Sequence, residues 1–160
     1  MTTYKLLRIR EGRLYPLYVE HDREMVIGEW MEARVGEKLD ETHVRGRTGA
    51  LSLRPGFHST LVPFTDWIGK RGPDGRLYQR RDTVWCECEV DGKEQKVTER
   101  NGLRVLPSDW YFFRTNTKMK DPWIISNRIK INRILTQSEV EQICQRHCLT
   151  AQPIETTATR

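Results

Sequence analysis

Residues 83–90 read TVWCECEV, and this alternation of side-chain types decides the predicted fold. Successive side chains of a β-strand point to opposite faces of the sheet. One face of the segment carries small apolar side chains, at Val84, Cys86, Cys88 and Val90. The opposite face carries a tryptophan and two glutamates. The segment is therefore predicted to form a strand whose apolar face is turned towards the core.

Further strands are predicted on both sides of this segment. Residues 4–10 (YKLLRIR) and 13–19 (RLYPLYV) are rich in β-formers and flank Glu11-Gly12, a pair typical of a tight turn. Asp91-Gly92 and Asn101-Gly102 predict two more hairpins. The remaining predicted strands are 51–53, 93–100, 103–106, 110–115 and 123–134.

The clearest helix signal lies near the end of the chain. Thr136 and Glu139 have the spacing of a capping box, and Leu135 with Val140 has that of a hydrophobic staple. This helix is predicted to end near Cys148. A short helix is also expected to begin at Ser59 or Thr60. Its apolar face would carry Leu61, Phe64, Trp67 and Ile68.

The predicted fold class is α+β. Strands outnumber helices and lack the regular helical crossovers of a parallel sheet, so we expect mostly antiparallel, strongly bent sheets with a few short helices and the C-terminal helix. Residues 28–49 have a weak pattern and are predicted to be a long loop with one helical turn at most. Residues 1–150 are expected to form a single domain and 151–160 a flexible tail.

The composition favours an anionic partner. The 160 residues include 27 Lys and Arg against 22 Asp and Glu, which gives a net charge of +5. A solvated surface of interspersed charge is the alternative explanation. No apolar stretch has the length of a membrane helix and no signal peptide begins the chain, so we expect a cytoplasmic protein with no membrane partner. The sequence does not predict an oligomeric state.

The four cysteines allow two interpretations. Cys86 with Cys88 on a strand and Cys144 with Cys148 on a helix could together bind zinc through four thiolates. However, each pair continues an apolar face and neither has the usual two-residue spacer. We therefore expect reduced cysteines in the core, with the two faces packed on each other and no metal.

The segment 54–60 (RPGFHST) concentrates polar groups at a forced turn. Arg54 would supply a bidentate fork for a phosphate, while Ser59 and Thr60 would add hydroxyl donors next to the N–H groups of a helix start. His58 would bind a ribose or act as an acid or base. The alternative is that His58 only caps or braces the turn.

A second candidate surface is the polar face of the last long strand. Arg128 and Lys130 lie on that face, and Arg114 lies shortly upstream, so together they could track the phosphates of a nucleic acid. The alternative is an exposed sheet face that charge keeps soluble. The sequence has no Walker loop, Gly-x-Ser-x-Gly elbow, dinucleotide glycine fingerprint or His-Glu-x-x-His motif.

Six segments together resemble a domain found in proteins of bacteriophages and mobile elements, including large polypeptides transferred with DNA. They are YKLLR (4–8), LYPLYV (14–19), LRPGFHS (53–59), DTVWCECEV (82–90), YFFRTN (111–116) and WIISNRIKINRIL (123–135). The layout is also similar to ADP-ribosyltransferase-like folds, in which a histidine element and a late strand border a cleft for NAD. That likeness implies roles for His58, Asn116 and Asn127. The late strand has Asn127 where such folds commonly have a glutamate or glutamine.

Two hypotheses follow from these observations. The first is a phage or mobile-element domain of a bacterial host cell that binds a nucleotide such as NAD and transfers ADP-ribose, with His58 and Asn127 as the catalytic residues. The second is a non-enzymatic module that binds nucleic acid or a host defence protein through its basic sheet face. A pocket that brings Arg54, His58 and Asn116 together would favour the first.

Overall fold

The computed structural model describes residues 1–64, 70–71, 77–78, 81–97, 100–115, 117 and 121–158. Twelve strands lie in this part of the chain: β1 Thr2–Arg10, β2 Arg13–Tyr15, β3 Trp30–Glu32, β4 His43–Arg45, β5 Ala50–Ser52, β6 Phe57–Ser59, β7 Lys70–Arg71, β8 Leu77–Tyr78, β9 Thr83–Glu89, β10 Trp110–Phe113, β11 Trp123–Ser126 and β12 Arg128–Ile134. Arg100–Arg104 forms a 3₁₀ helix and Gln137–Ala158 forms helix α1.

The central sheet has five strands in the order β2-β1-β9-β12-β3, and all of its neighbouring strands are antiparallel. The predicted strand TVWCECEV lies in its middle as β9. It pairs with β1 over seven residues, from Thr2 opposite Glu89 to Arg8 opposite Thr83. The prediction of a mostly antiparallel α+β fold is therefore confirmed.

A second sheet, in the order β10-β11-β6, curls against the first. The two sheets are joined at Asn127, where the chain leaves β11 and enters β12. They are joined again by a backbone pair between Tyr4 of β1 and Thr60, in which each N–H donates to the other carbonyl at 2.8 Å. These two connections curl the strands into a half-barrel.

The core lies on both faces of the β1–β9 pair. The inner face carries Leu7, Cys86 and Cys88, which pack with Ile129 and Ile131 of β12. The outer face carries Leu6 and Trp85, which pack with Leu135 and Val140 at the start of α1. The alternating side chains of β9 thus contribute to two separate clusters, because this strand is covered on both faces.

The capping box of α1 is confirmed. The Thr136 hydroxyl accepts from the N–H of Glu139 at 3.1 Å, and the Glu139 carboxylate accepts from the N–H of Thr136 at 3.0 Å. The carboxylate also contacts Arg133 of β12. The helix ends at Ala158 and is longer than predicted. None of the described helices has the length and apolar character that a membrane crossing needs.

The prediction of a long loop at residues 28–49 was wrong in part, because two short strands, β3 and β4, lie within it. Strand β3 begins at Trp30 and pairs with β12, while β4 pairs with β5 as a hairpin. The hairpin turn is closed by a hydrogen bond from the N–H of Gly46 to the carbonyl of Gly49, at 2.8 Å. Pairing partners that are distant in sequence, as β12 is from β3, leave no signal in a local window.

The prediction of a short helix that begins at Ser59 or Thr60 was also wrong for the described residues. Phe57–Ser59 is strand β6, and Thr60 bonds to Tyr4 across the sheet junction. These backbone groups are therefore not available to begin a helix. Two of the residues expected on its apolar face, Trp67 and Ile68, lie outside the described residues.

The predictions for 93–106 and 123–134 need correction as well. Within 93–97, Glu94 makes an isolated bridge to Trp110, and Asn101-Gly102 lies in the 3₁₀ helix instead of a hairpin turn. The long last strand is divided at Asn127 between two sheets. At this break the Asn127 side-chain amide donates to the Pro107 carbonyl at 2.7 Å.

The cap gives a testable prediction. Thr136→Ala removes the oxygen that accepts from the Glu139 N–H, and we expect the free energy of unfolding to fall by about 0.5 to 2 kcal/mol. Urea denaturation followed by circular dichroism measures this change. Ser138→Ala is the matched control, because Ser138 is exposed in the same helical turn. Equal losses in the two variants would contradict the role of the cap.

Candidate functional site

A cavity of about 490 Å³ opens beside the junction of the two sheets. The Tyr4–Thr60 pair, directly after β6, is the one backbone bridge between β1 and this segment in the described chain. The cavity is bordered by β1, by the segment 51–58 and by residues 16–20 and 33–35. We call this space the basic cavity.

The charged side chains that line the basic cavity are mostly cations. Among the described residues they are Lys5, Arg23, Arg34 and Arg54, with Glu20 as the acidic residue. Four cations against one carboxylate leave the lining with three excess positive charges. Its aromatic lining residues are Tyr4, Tyr18, Phe57, His58, Trp85 and Trp123. Charge and aromatic surface therefore occur together in one concave site.

Arg54 is held in the cavity wall by an aromatic ring. Its guanidinium carbon lies 4.0 Å from the centroid of the Phe113 ring, a distance typical of a cation–π contact. Its Nε is buried and has no hydrogen-bond partner among the described residues. Burial lowers the pKa of Arg54, with no carboxylate to offset it. The guanidinium is thus a preorganised donor for an anion.

His58 is fixed by both its backbone and its ring. Its Nδ1 lies 3.3 Å from the carbonyl oxygen of Gly56, and its ring meets that of Trp123 edge-on at 5.9 Å. Burial lowers its pKa to about 3, helped by the positive charges of Lys5 and Arg54. The ring is therefore neutral at neutral pH. Because Nδ1 donates to a carbonyl, Nε2 keeps a lone pair to accept a hydrogen bond.

The turn before His58 requires glycine. Gly56 has a φ of 128°, a conformation that L side chains rarely adopt. A Cβ at this position would also lie 2.5 Å from a side-chain carbon of Ile125. The Pro-Gly pair therefore allows the backbone to pass close to β11, which places Arg54 and His58 on the same side of the cavity.

Lys5 reaches the cavity from the inner face of β1. It is partly buried and lies opposite Cys86 in the β1–β9 ladder. Its Nζ donates to the backbone carbonyl of His58 at 2.7 Å. Burial lowers its pKa to about 8, although nearby Cys88 and Cys86 oppose the shift. No ion pair of the described residues includes Lys5.

Two further arginines complete the charged lining. The guanidinium of Arg23 lies 5.8 Å from the centroid of the Phe57 ring, and burial, followed by the charge of Arg34, lowers its pKa. Arg34 forms an ion pair with Glu20 at 3.6 Å. The single acidic lining residue is thus already engaged by one of the four cations.

The structure brings together only some of the predicted site residues. Arg54 and His58 both line the basic cavity. Ser59 is fully buried in β6, and the Thr60 hydroxyl donates to the backbone carbonyl of Val62. Neither residue lines the cavity, which corrects the expectation that they begin a phosphate-binding helix. Asn116 lies outside the described residues.

Asn127 is held in place by hydrogen bonds of its backbone and its side chain. Its N–H donates to Asp109, its amide donates to Pro107, and its carbonyl accepts from the N–H of Ala33. It is not among the residues that line the cavity. These bonds fix the bend where the chain changes sheets.

The predicted basic surface is divided. Arg128 and Lys130 lie 4.8 Å and 5.3 Å from the ring centroid of Trp30, and Arg128 forms an ion pair with Asp91 at 3.0 Å. Arg114 follows β10, where Phe113 pairs with Trp123 at the other end of β11. The three residues therefore do not form one patch along a single strand.

The cysteine faces do not pack on each other as expected. Cys86 and Cys88 belong to the inner cluster, whereas Cys144 packs against the outer cluster with Trp85. Burial raises the pKa of Cys86 to about 12, so its thiol stays protonated at neutral pH. The side chain of Cys148 is outside the described residues. Cys86 and Cys88 therefore lie on one side of the central sheet and Cys144 on the other, and the described residues contain no group of three or more possible metal ligands.

Sequence reasoning missed Lys5, Arg23 and Arg34. For Lys5 a signal existed, because the alternation of YKLLRIR puts Lys5 on the same face as Leu7. A lysine at an inward position of a central strand is unusual enough to mark a site. Arg23 and Arg34 lie in segments without a periodic pattern, and only the tertiary fold brings them to the cavity.

Comparisons with known proteins identify no function, so the chemistry of the cavity is the guide to function. No family model, no curated protein and no solved structure matches the chain. The resemblance to phage and mobile-element domains therefore stays a prediction.

The environment of His58 predicts a pH dependence of stability. Its folded pKa is about 3, below the unfolded value of about 6.5. Between these values the unfolded chain binds one more proton, so acidification through this range destabilises the fold. From pH 7 to pH 5 we expect this histidine to contribute a loss of about 2 kcal/mol.

Urea unfolding of the wild type and of His58→Asn at both pH values measures the contribution. Asparagine keeps a donor for the Gly56 carbonyl but does not titrate, and the other three histidines are common to both proteins. The same pH dependence in the two proteins would show that His58 is freely protonated in the folded state.

Proposed function

We propose that this chain binds a nucleotide, such as NAD, in the basic cavity. The observation that supports this most directly is the excess of cations around a concave site that also has aromatic walls. Phosphates need guanidinium and ammonium donors, and a base or nicotinamide ring needs a flat apolar surface. A volume of about 490 Å³ lies within the range of small-molecule sites, roughly 300 to 1,000 Å³.

The phosphates would bind near Arg54 and Lys5. Both side chains lack an acidic partner among the described residues, so a phosphate would provide the missing charge. The bidentate geometry of Arg54 suits a phosphate better than a point charge would. Neutral His58 would accept a hydrogen bond from a hydroxyl of the sugar through Nε2.

Binding is better supported than transfer of ADP-ribose. The one carboxylate among the described lining residues, Glu20, is paired with Arg34. His58 is a weak base because its pKa is low. An ADP-ribosyltransferase-like layout would accommodate NAD in this cleft. The residues that support the proposal are those suited to bind the ligand, and not residues suited to catalyse a transfer.

The alternative function, binding of nucleic acid through Arg114, Arg128 and Lys130, has less support. Arg128 is already paired with Asp91, and both Arg128 and Lys130 are stacked on Trp30. The Asp91 carboxylate reduces the positive charge that phosphates would meet at Arg128. No contact surface among the described residues specifically favours a host protein as the partner.

The proposal predicts a specific effect of Arg54→Lys. Lysine keeps the charge but loses the fork, and loss of a charged hydrogen bond of about 1.5 to 3 kcal/mol weakens binding roughly 10- to 100-fold. Isothermal titration calorimetry with NAD, ATP, AMP and adenosine measures the affinities. Adenosine, which has no phosphate, should bind the weakest.

Arg13→Lys is the matched control. Arg13 is an exposed arginine that pairs with Glu24 and does not line the cavity, so its replacement should leave the affinity unchanged. A thermal-shift assay confirms that each variant folds. The proposal fails when none of the phosphate-bearing compounds binds the wild type, or when both arginine variants weaken binding equally.

A further inference from the structure

Lys5 has an environment that a purely structural lysine does not need. Most buried lysines are paired with a carboxylate, because a buried charge is costly without one. Here the Nζ donates to a neutral carbonyl, that of His58, at 2.7 Å. No carboxylate lies within ion-pair distance among the described residues. The titratable groups near Lys5 are the Cys88 and Cys86 thiols and the His58 imidazole.

Burial favours the neutral amine of Lys5, although the nearby Cys88 and Cys86 oppose the shift of its pKa. Burial removes water from the ammonium group, and neither thiol is ionised at neutral pH because burial raises both of their pKa values. The pKa of Lys5 is about 8, so a substantial fraction of the amine is unprotonated near neutral pH. An ordinary lysine with a pKa near 10.4 has roughly a hundredth of that fraction or less.

We propose that Lys5 is the reactive amine of the basic cavity and binds a phosphate-bearing aldehyde or ketone as an imine. Lys5 lines the cavity, strand β1 fixes its backbone between β9 and the junction with β6, and Arg54 lines the same cavity, where it would hold the phosphate. This inference uses the site of the proposed function, but imine formation does not require that nucleotides bind.

The chemistry is balanced without a further reactant. The lone pair of the neutral Nζ attacks the carbonyl carbon, and the carbonyl oxygen takes up a proton as the carbinolamine forms. Loss of that oxygen as water, with the two hydrogens from the amine, leaves a carbon–nitrogen double bond. No oxidation or reduction takes place. Hydrolysis reverses the reaction and restores the free lysine.

Pyridoxal 5′-phosphate is a suitable probe, because it carries an aldehyde, a phosphate and an aromatic ring. The folded protein is incubated with the probe at pH 7.5, the imine is reduced with borohydride, and the modified lysines are identified by peptide mass spectrometry. We expect Lys5 to be labelled at least tenfold faster than Lys96, an exposed lysine that is the internal control. Pyridoxal, which lacks the phosphate, should label Lys5 more slowly.

The pH profile separates reactivity from mere access. Labelling of Lys5 should level off above pH 8. Lys5→Arg should remove the fast site and leave labelling of Lys96 unchanged. The proposal is overturned when native Lys5 reacts no faster than Lys96, or when it is labelled only after unfolding in urea.

Protection by nucleotides distinguishes this inference from the proposed function. Slower labelling of Lys5 in saturating NAD or ATP supports both, because the ligands then share the cavity. Fast labelling that no nucleotide slows supports the reactive lysine and contradicts nucleotide binding at this site. Calorimetric binding of a nucleotide without preferential labelling of Lys5 supports the proposed function and contradicts the reactive lysine.

Discussion

The rest of the architecture depends on the backbone pair between Tyr4 and Thr60. Two hydrogen bonds of 2.8 Å join β1 of the central sheet to the end of β6 in the second sheet. The ladder is not continued among the described residues, and the basic cavity lies beside this pair. The Tyr4–Thr60 pair thus joins the two sheets of the half-barrel and lies at the edge of the basic cavity.

The sequence predicts those parts of the fold that local patterns encode. The alternation of β9, the hairpin at Glu11-Gly12 and the cap at Thr136 all depend on neighbours in the chain, and each is found in the structure. The pairing of β3 with β12 and the division at Asn127 depend on contacts between distant segments. For the candidate site, Arg54 and His58 were predicted from one short segment. Arg23 and Arg34 come from segments without a pattern, so their convergence could not be foreseen.

If the basic cavity binds an anion as proposed, ligand binding and the stability of the unliganded fold oppose each other there. Lys5, Arg23, Arg54 and His58 all have pKa values that burial lowers, which means that the folded state disfavours their charged forms. A bound anion would relieve this cost, and binding to the folded state alone raises its stability. The unliganded protein therefore retains a local destabilisation in the wall of the cavity. Such strain is common where a site is preorganised for a charged ligand.

The pairing of β1 with β9 also has a consequence for how the chain folds. The amino terminus bonds to the carbonyl of Val90, a partner 89 positions away. A nascent chain therefore cannot complete its central sheet until the second half has been synthesised, and β12 must follow before β9 has both neighbours. Contacts of such long range slow folding, because the loop between the partners must close before the ladder can form. During that interval Leu6 and Leu7 of β1 lack the partners that bury them in the folded protein.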